Sequence, residues 1–350
     1  MPIEPRSPDA ASDALAAAAT SAAAAVAAVA SSRVVVFGTN LRYDGYPIPS
    51  RMVQSRRALE VATETSPSHG VTSVDLFWKV GEAVASRAMT AVERDGGPSA
   101  PEANARWHAT IPAEAFVDGR PIEYWIRATE GAGGVAWDSN DGKNHRIVPH
   151  DKVNLFDGTV EGWRMAGNGA FAIERDADGP VMVARPADGL GLYWSTFPTP
   201  ASYELSIDFR LSDKNDNSGV FLSFPDPERF GYENTAWVGV HYGLEVQIDE
   251  IARPDGADLH RTGAIYGWPN QTLSLRGAKI AGLWNRYRIR VIDRMYSVEL
   301  DGQEVSRLVF TSDPSQPLRA LPPTAATPRF VGVQAHTGRV AFRDVRLKLL

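Results

Sequence analysis

Glu245, Gln247 and Asp249 alternate along the run Leu244-Glu245-Val246-Gln247-Ile248-Asp249. In a strand, successive side chains point to opposite faces, so these three polar groups share one face and Val246 and Ile248 the other. Two readings fit the pattern: a face built to meet a ligand, or the solvated outer face that any antiparallel sheet can show. His336 is the side chain best suited to general-base work, because imidazole changes charge near neutral pH; a hydrogen-bonding surface histidine is the plainer alternative. His241 and His260 flank the polar run. Glu245, Asp249 and His260 are residue types that ligate a divalent metal ion, but no tight ligand spacing supports that set, and the sequence fixes no cofactor. The stretch Asp213-Lys214-Asn215-Asp216-Asn217-Ser218-Gly219 is rich in oxygen ligands yet lacks the distant bidentate Glu of a calcium loop. It reads instead as a hairpin turn, with Asn217 reaching toward the site. Retaining hydrolysis by a Glu-x-Asp-x-x-Glu strand is disfavoured, since Glu245 to Glu250 puts the second acid at the wrong spacing.

The elements that must position these groups are strands. The chain has 350 residues, long enough for two domains. Its net charge of −6 argues against a nucleic-acid surface. The lack of any cysteine removes disulfides, thiol nucleophiles and zinc-thiolate sites together. The alanine run Leu15 to Ala30 is too short and too weakly apolar to span a membrane. Its end, Ala28-Val29-Ala30, matches a signal-peptidase site, but Glu4, Asp9 and Asp13 against Arg6 give the wrong charge for a signal's first region. A helical or disordered arm over 1–32 is the preferred reading; a periplasmic or secreted location stays open, and the compartment is unassigned.

From residue 33 to 150, β-rich runs such as Val74 to Val80 and Ile122 to Ala128 alternate with turn-rich stretches such as Asp95-Gly96-Gly97-Pro98. That texture predicts an immunoglobulin-like β-sandwich. Arg57 to Thr63 fits either a strand or a helical turn, and Asp151-Lys152 reads as a short linker. Over 151–350 the alternation is clear in Tyr203 to Leu211, Tyr287 to Ile292, Met295 to Leu300 and Val340 to Leu347. About 200 residues of this with hardly any helical period predict two large antiparallel sheets, a jelly roll. The fold class is therefore all-β.

Six motifs in order resemble the 3-keto-disaccharide hydrolase family. They are Asn154-Leu155-Phe156-Asp157-Gly158 with Gly162-Trp163; Asp208-Phe209-Arg210 with Asn217-Ser218-Gly219-Val220-Phe221-Leu222; the Leu244 to Asp249 run; Thr262-Gly263-Ala264-Ile265-Tyr266-Gly267; Trp284-Asn285-Arg286-Tyr287; and Gly332-Val333-Gln334-Ala335-His336 with Phe342-Arg343-Asp344-Val345. One departure is Ala335-His336-Thr337-Gly338, where the family has an acid before the histidine and glycine directly after it.

The resemblance implies a concanavalin-like jelly roll whose concave face holds a carbohydrate. It also implies cleavage of glycosides already oxidised at C3, by C2 deprotonation and β-elimination followed by hydration, with a sugar 3-dehydrogenase upstream in the same pathway. His336, Glu245 and Asp249 are then the catalytic candidates. Gln247, Tyr266, Asn217 and Gln334 are the substrate-binding candidates, with Tyr266 donating to an enolate or stacking on a sugar. A non-catalytic, lectin-like protein and an accessory subunit of a sugar oxidoreductase are the alternatives, since a fold does not decide function. In the first domain Trp107-His108-Ala109-Thr110-Ile111-Pro112, Ile122 to Ile126 and Trp137 to Asn144 are similar to modules found beside carbohydrate-active domains. There an exposed Trp137 would serve for sugar stacking, with Trp107 and Trp125 expected in the core; a spacer that binds no ligand is an equal alternative to a binding module.

Overall fold

The computed structural model describes residues 34–66, 70–92, 104–131, 133–311, 319–324 and 326–350. The 1–32 arm and the Asp95 to Pro98 stretch lie outside the described residues. The described residues divide into two compact units, one of 34–42 with 55–150, the other of 43–54 with 151–350.

The first unit carries two antiparallel sheets. Leu59–Ser66 pairs with Val35–Tyr43 on one side and Ala105–Ile111 on the other. Its strict burial alternation settles the Arg57 to Thr63 ambiguity in favour of a strand. In the second sheet Ile122–Glu130 is central, flanked by Val71–Val80, His145–Ile147 and Val135–Asp138. Leu59, Val61, Leu76, Ile111 and Ile126 are fully buried, as β-branched and aliphatic residues on inward positions should be.

The second unit is a jelly-roll sandwich of a nine-stranded and a five-stranded sheet. The large sheet is centred on Ser202–Leu211, between Asn285–Ile292 and Val340–Leu349. Tyr203, Leu205, Ile207, Phe209 and Leu211 are all buried, the single face expected from their spacing. Asp151-Lys152 is not a free linker: Lys152–Asn154 is a strand paired with Lys348 to Arg346. The small sheet runs Trp163–Gly167, Gly191–Ser195, Phe330–Ala335, Asn217–Phe224, Leu244–Asp249. Two buried hydroxyls tie the layers together: Tyr287 donates to the Gln247 carbonyl at 2.6 Å, and Tyr296 to Ser223 Oγ at 3.0 Å.

The Asp213 to Gly219 stretch is not a hairpin. The strand before it belongs to the large sheet and the strand after it to the small one, so the chain crosses between layers there. Asp216 holds the crossing, its carboxylate accepting from the backbone N–H groups of Ser212, Asp213 and Arg339. An oxygen-rich sequence is thus spent on satisfying backbone donors.

Candidate functional site

Away from the sandwich core, the small sheet presents a face with two halves. Leu192, Trp194, Phe221, Phe224 and Phe330 form the apolar half, joined by Leu190, Ala166, Ala236 and Tyr46. Tyr46 comes from the 43–54 segment and donates from its hydroxyl to Asp226 at 2.6 Å. A short helix, Trp237–Tyr242, lies against this half. Its Gly239 permits the close approach, because a Cβ there would meet Leu192 Cδ2 at 3.1 Å and the Phe221 ring at 3.2 Å.

The other half is polar and open, the floor of a cavity of about 670 Å³. Asn217, Glu245, Gln247, Gln334 and His336 line it, with Trp237, Arg253 and Tyr266. The register explains the convergence. Gly219 lies opposite Gln247 and Phe221 opposite Glu245, while the Asn217–Thr337 bridge extends pairing past the end of Phe330–Ala335 and fixes the backbone beside His336. Thr262 to Tyr266 adds along the other edge of Leu244–Asp249, with Tyr266 N–H donating to the Glu245 carbonyl at 2.9 Å.

Three buried acceptors in this one cavity have no hydrogen-bond partner: Asn217 Oδ1, Glu245 Oε1 and Gln334 Oε1. Buried polar atoms are almost always paired, and each exception calls for a reason. Glu245 folds directly over Gly219, where any Cβ would collide with its Oε1. Burial pushes the Glu245 carboxyl up to about 8, with Arg319 pulling weakly the other way. His336 is shifted in the opposite sense: burial and the nearby Arg253 hold its imidazole below the ordinary value, against a small opposing pull from Asp249. Its Nδ1 lies 2.8 Å from Thr337 Oγ1. Burial raises the Tyr266 phenol, helped by the charges of Glu245, Asp255 and Asp249. At neutral pH the cavity therefore holds a protonated carboxyl, a neutral imidazole and a protonated phenol.

Not every expected residue joins them. Asp249 shares the strand face of Glu245 and Gln247 but is fully buried and absent from the cavity lining. Its carboxylate accepts from the backbone N–H groups of Ile251 and Arg253 and from the Arg253 guanidinium at 3.0 and 3.1 Å. Its place is to hold Arg253 at the cavity wall. His260 is paired with Asp255 at 2.8 Å and packs on Tyr266. Glu245, Asp249 and His260 do not form a metal cage; among the described residues no group of three or more His, Asp or Glu side chains is placed to hold an ion. Trp137 belongs to the first unit and is half-buried beside Phe77 and Arg127 rather than exposed. Trp107, expected in the core, is only half-buried.

Sequence reasoning missed Trp237 and Arg253. Trp237 precedes a short apolar run, and Arg253 follows the polar run by four residues, but neither carries a periodic signal linking it to Glu245.

The 3-keto-alpha-glucoside-1,2-lyase-like domain model matches residues 151–348. No curated protein matches the chain. Among solved structures, a protein from Parabacteroides distasonis described as a glycosyl hydrolase is similar at 18% identity and a TM-score of 0.44, over 57% of this chain and 94% of that one. A galectin-like protein from Bacillus subtilis is similar at 13% identity and a TM-score of 0.38, over 53% and 89%. A carbohydrate-binding module from the same species is similar at 13% identity and a TM-score of 0.34, over 53% and 95%. Since the matched residues make up more than half of the sequence, the chain belongs to the 3-keto-alpha-glucoside-1,2-lyase-like domain family.

Proposed function

We propose that the 151–350 domain cleaves glycosides oxidised at C3 of the sugar ring, by proton removal at C2 and elimination of the glycosidic oxygen. One observation carries this reading. A carboxyl held protonated and an imidazole held neutral line the same cavity as three unpartnered acceptors, and titratable groups pushed apart in this way mark an acid and a base.

The 3-keto group acidifies the C2 hydrogen, and His336 takes that proton. The electron pair forms an enolate, whose oxygen the Tyr266 phenol and the side-chain amides of Asn217, Gln247 and Gln334 are suited to stabilise. Collapse of the enolate re-forms the C3 carbonyl, makes the C1–C2 double bond and breaks the bond from C1 to the glycosidic oxygen. Glu245 gives its proton to that departing oxygen, and proton exchange with solvent resets both groups. Water adding at C1 completes a net hydrolysis. Asn217 Oδ1 and Gln334 Oε1 accept from the sugar hydroxyls, which gives these buried atoms the partners they lack.

Such a substrate has to be supplied by an enzyme that oxidises a sugar C3 hydroxyl, a sugar 3-dehydrogenase. The first unit, 34–42 with 55–150, is read as an immunoglobulin-like module accompanying the catalytic domain in the chain. The test is incubation of the full chain, with and without chelator, with a 3-keto-glucoside and with its unoxidised parent. Aglycone release from the keto form alone is expected, and the chelator arm separates a metal-assisted rate from an unaided one. Release from neither, with polysaccharide binding retained, would replace this reading by glycan binding without catalysis.

A further inference from the structure

Trp237 is the anomaly of the cavity. The floor amides Asn217, Gln247 and Gln334 are buried, whereas Trp237 leaves 44% of its surface exposed while lining the same space. A large aromatic in water at a cavity mouth forgoes its hydrophobic gain unless something covers it. Its ring is also held in place by a stacked neighbour. His241 stacks on it at 5.7 Å with an interplanar angle of 26°, and His241 Nδ1 lies 2.9 Å from the Tyr232 hydroxyl. Tyr232 packs edge-on against Tyr242, which in turn lies against Phe230. The helix beneath is set by Val238 and Gly239, both buried. An indole stacked on a histidine, itself tied down by a tyrosine, is a pre-organised surface rather than a loose side chain.

We propose that Trp237 is a specificity residue, a stacking platform for a flat six-membered ring in the leaving group. This rests on the elimination reading for the word "leaving". The reacting sugar fills the polar floor, where Glu245 and His336 meet it, and the part of the substrate beyond the glycosidic oxygen projects to the exposed mouth. The platform offers a π face, so it suits a neutral ring presenting C–H groups or a π face. An aromatic aglycone and a second pyranose share that chemistry.

Unoxidised glucosides serve as non-reacting probes, so the platform can be tested apart from catalysis. Calorimetric titration of the full chain with methyl, phenyl and glucosyl glucosides of one anomer should show a ring-bearing probe binding about tenfold more tightly than the methyl one. Trp237→Ala should bring that probe to the methyl level and leave methyl glucoside unchanged, while Trp237→Phe keeps part of the preference. A gain with phenyl alone, with glucosyl alone or with both supports the platform and names the ring. Equal affinities in the wild type, no measurable binding of the ring-bearing probes, or a Trp237→Ala loss shared by all three would overturn it. If the ring preference holds but no 3-keto-glucoside is cleaved, the elimination reading falls and the platform stands.

Discussion

The two sheets of the second unit each turn a polar face away from the sandwich core, and they treat their polar groups in opposite ways. On the large sheet Arg286, Arg288 and Arg290 alternate along one strand, as Glu245, Gln247 and Asp249 do on the small one. Each arginine finds a carboxylate: Arg286 meets Asp208 and Asp344, Arg288 meets Glu299, and Arg290 meets Glu204 at 2.9 Å. All three stay about half exposed. On the small sheet Glu245, Asn217 and Gln334 are sheltered and leave acceptors unpaired. A buried unsatisfied polar atom costs about 1–3 kcal/mol, so the Asn217, Glu245 and Gln334 side chains carry a penalty that the arginine row and its carboxylates avoid. What separates a site from a solvated face here is not residue type but shelter without partners. The Trp237–Tyr242 helix, Arg253 and Tyr266 wall in one face, whereas the arginines stay half exposed.

The largest effect should come from the small sheet. His336→Ala is expected to lower turnover of a 3-keto-glucoside by about 10²–10⁴-fold, the usual range for a lost general base, while Arg288→Ala leaves it unchanged. His336 lies just past the end of Phe330–Ala335, outside the packed core, so its loss should not cost the fold. Steady-state rates on both variants, with circular dichroism as a folding control, make the comparison. Equal losses in the two variants would break it.

Much of the fold could be read before any coordinates. Alternation in Tyr203 to Leu211 marked an inward face, and six ordered motifs marked the family over nearly the whole second domain. What stayed hidden depended on contacts between residues far apart in sequence. The 43–54 segment looks like the rest of the first domain, and contacts distant in sequence assign it to the second unit: Tyr46 with Phe330 and Asp226, Tyr43 with Phe197, and Arg51 with Glu161. The Asp213 to Gly219 turn crosses between layers instead of closing a hairpin, which depends on pairing partners more than a hundred residues away. Asp249 had the right parity for the site, yet parity says nothing about the backbone donors of Ile251 and Arg253 that take up its carboxylate. The Glu245–His336 pairing was legible only as residue type; their opposite titration shifts come from burial, which one sequence does not contain.

A second, smaller effect follows from that burial. Glu245 titrates near 4.5 when unfolded and near 8 when folded. Between those values the unfolded chain has lost the proton and the folded one keeps it, so this group's contribution to stability falls as pH rises from about 4.5 to about 8. Glu245→Gln is neutral throughout and should remove that slope. Denaturant midpoints at pH 5 and pH 8 are expected to lie closer together in the variant than in the wild type. The same logic sets the rate profile. The rate should climb as His336 deprotonates below its ordinary 6.5 and decline as Glu245 ionises near 8. An alkaline limb that persists in Glu245→Gln would remove Glu245 as the acid.

The smallest effect belongs to the large sheet, and its smallness is the point. Arg288 is a half-exposed partner of Glu299 at 3.2 Å, and pairs of this kind contribute about 0–1 kcal/mol. Arg288→Ala should therefore shift the unfolding free energy by no more than that, and the shift should shrink further in high salt as screening weakens the pair. Removing one arginine leaves Glu299 still facing Arg290 at 3.5 Å, so no carboxylate is left without a cation. A loss well above 1 kcal/mol, insensitive to salt, would mean that the arginine face is a tightly coupled structural network rather than a solvated one. The contrast between the sheets would then lie in what each network does, and shelter alone would no longer distinguish the site.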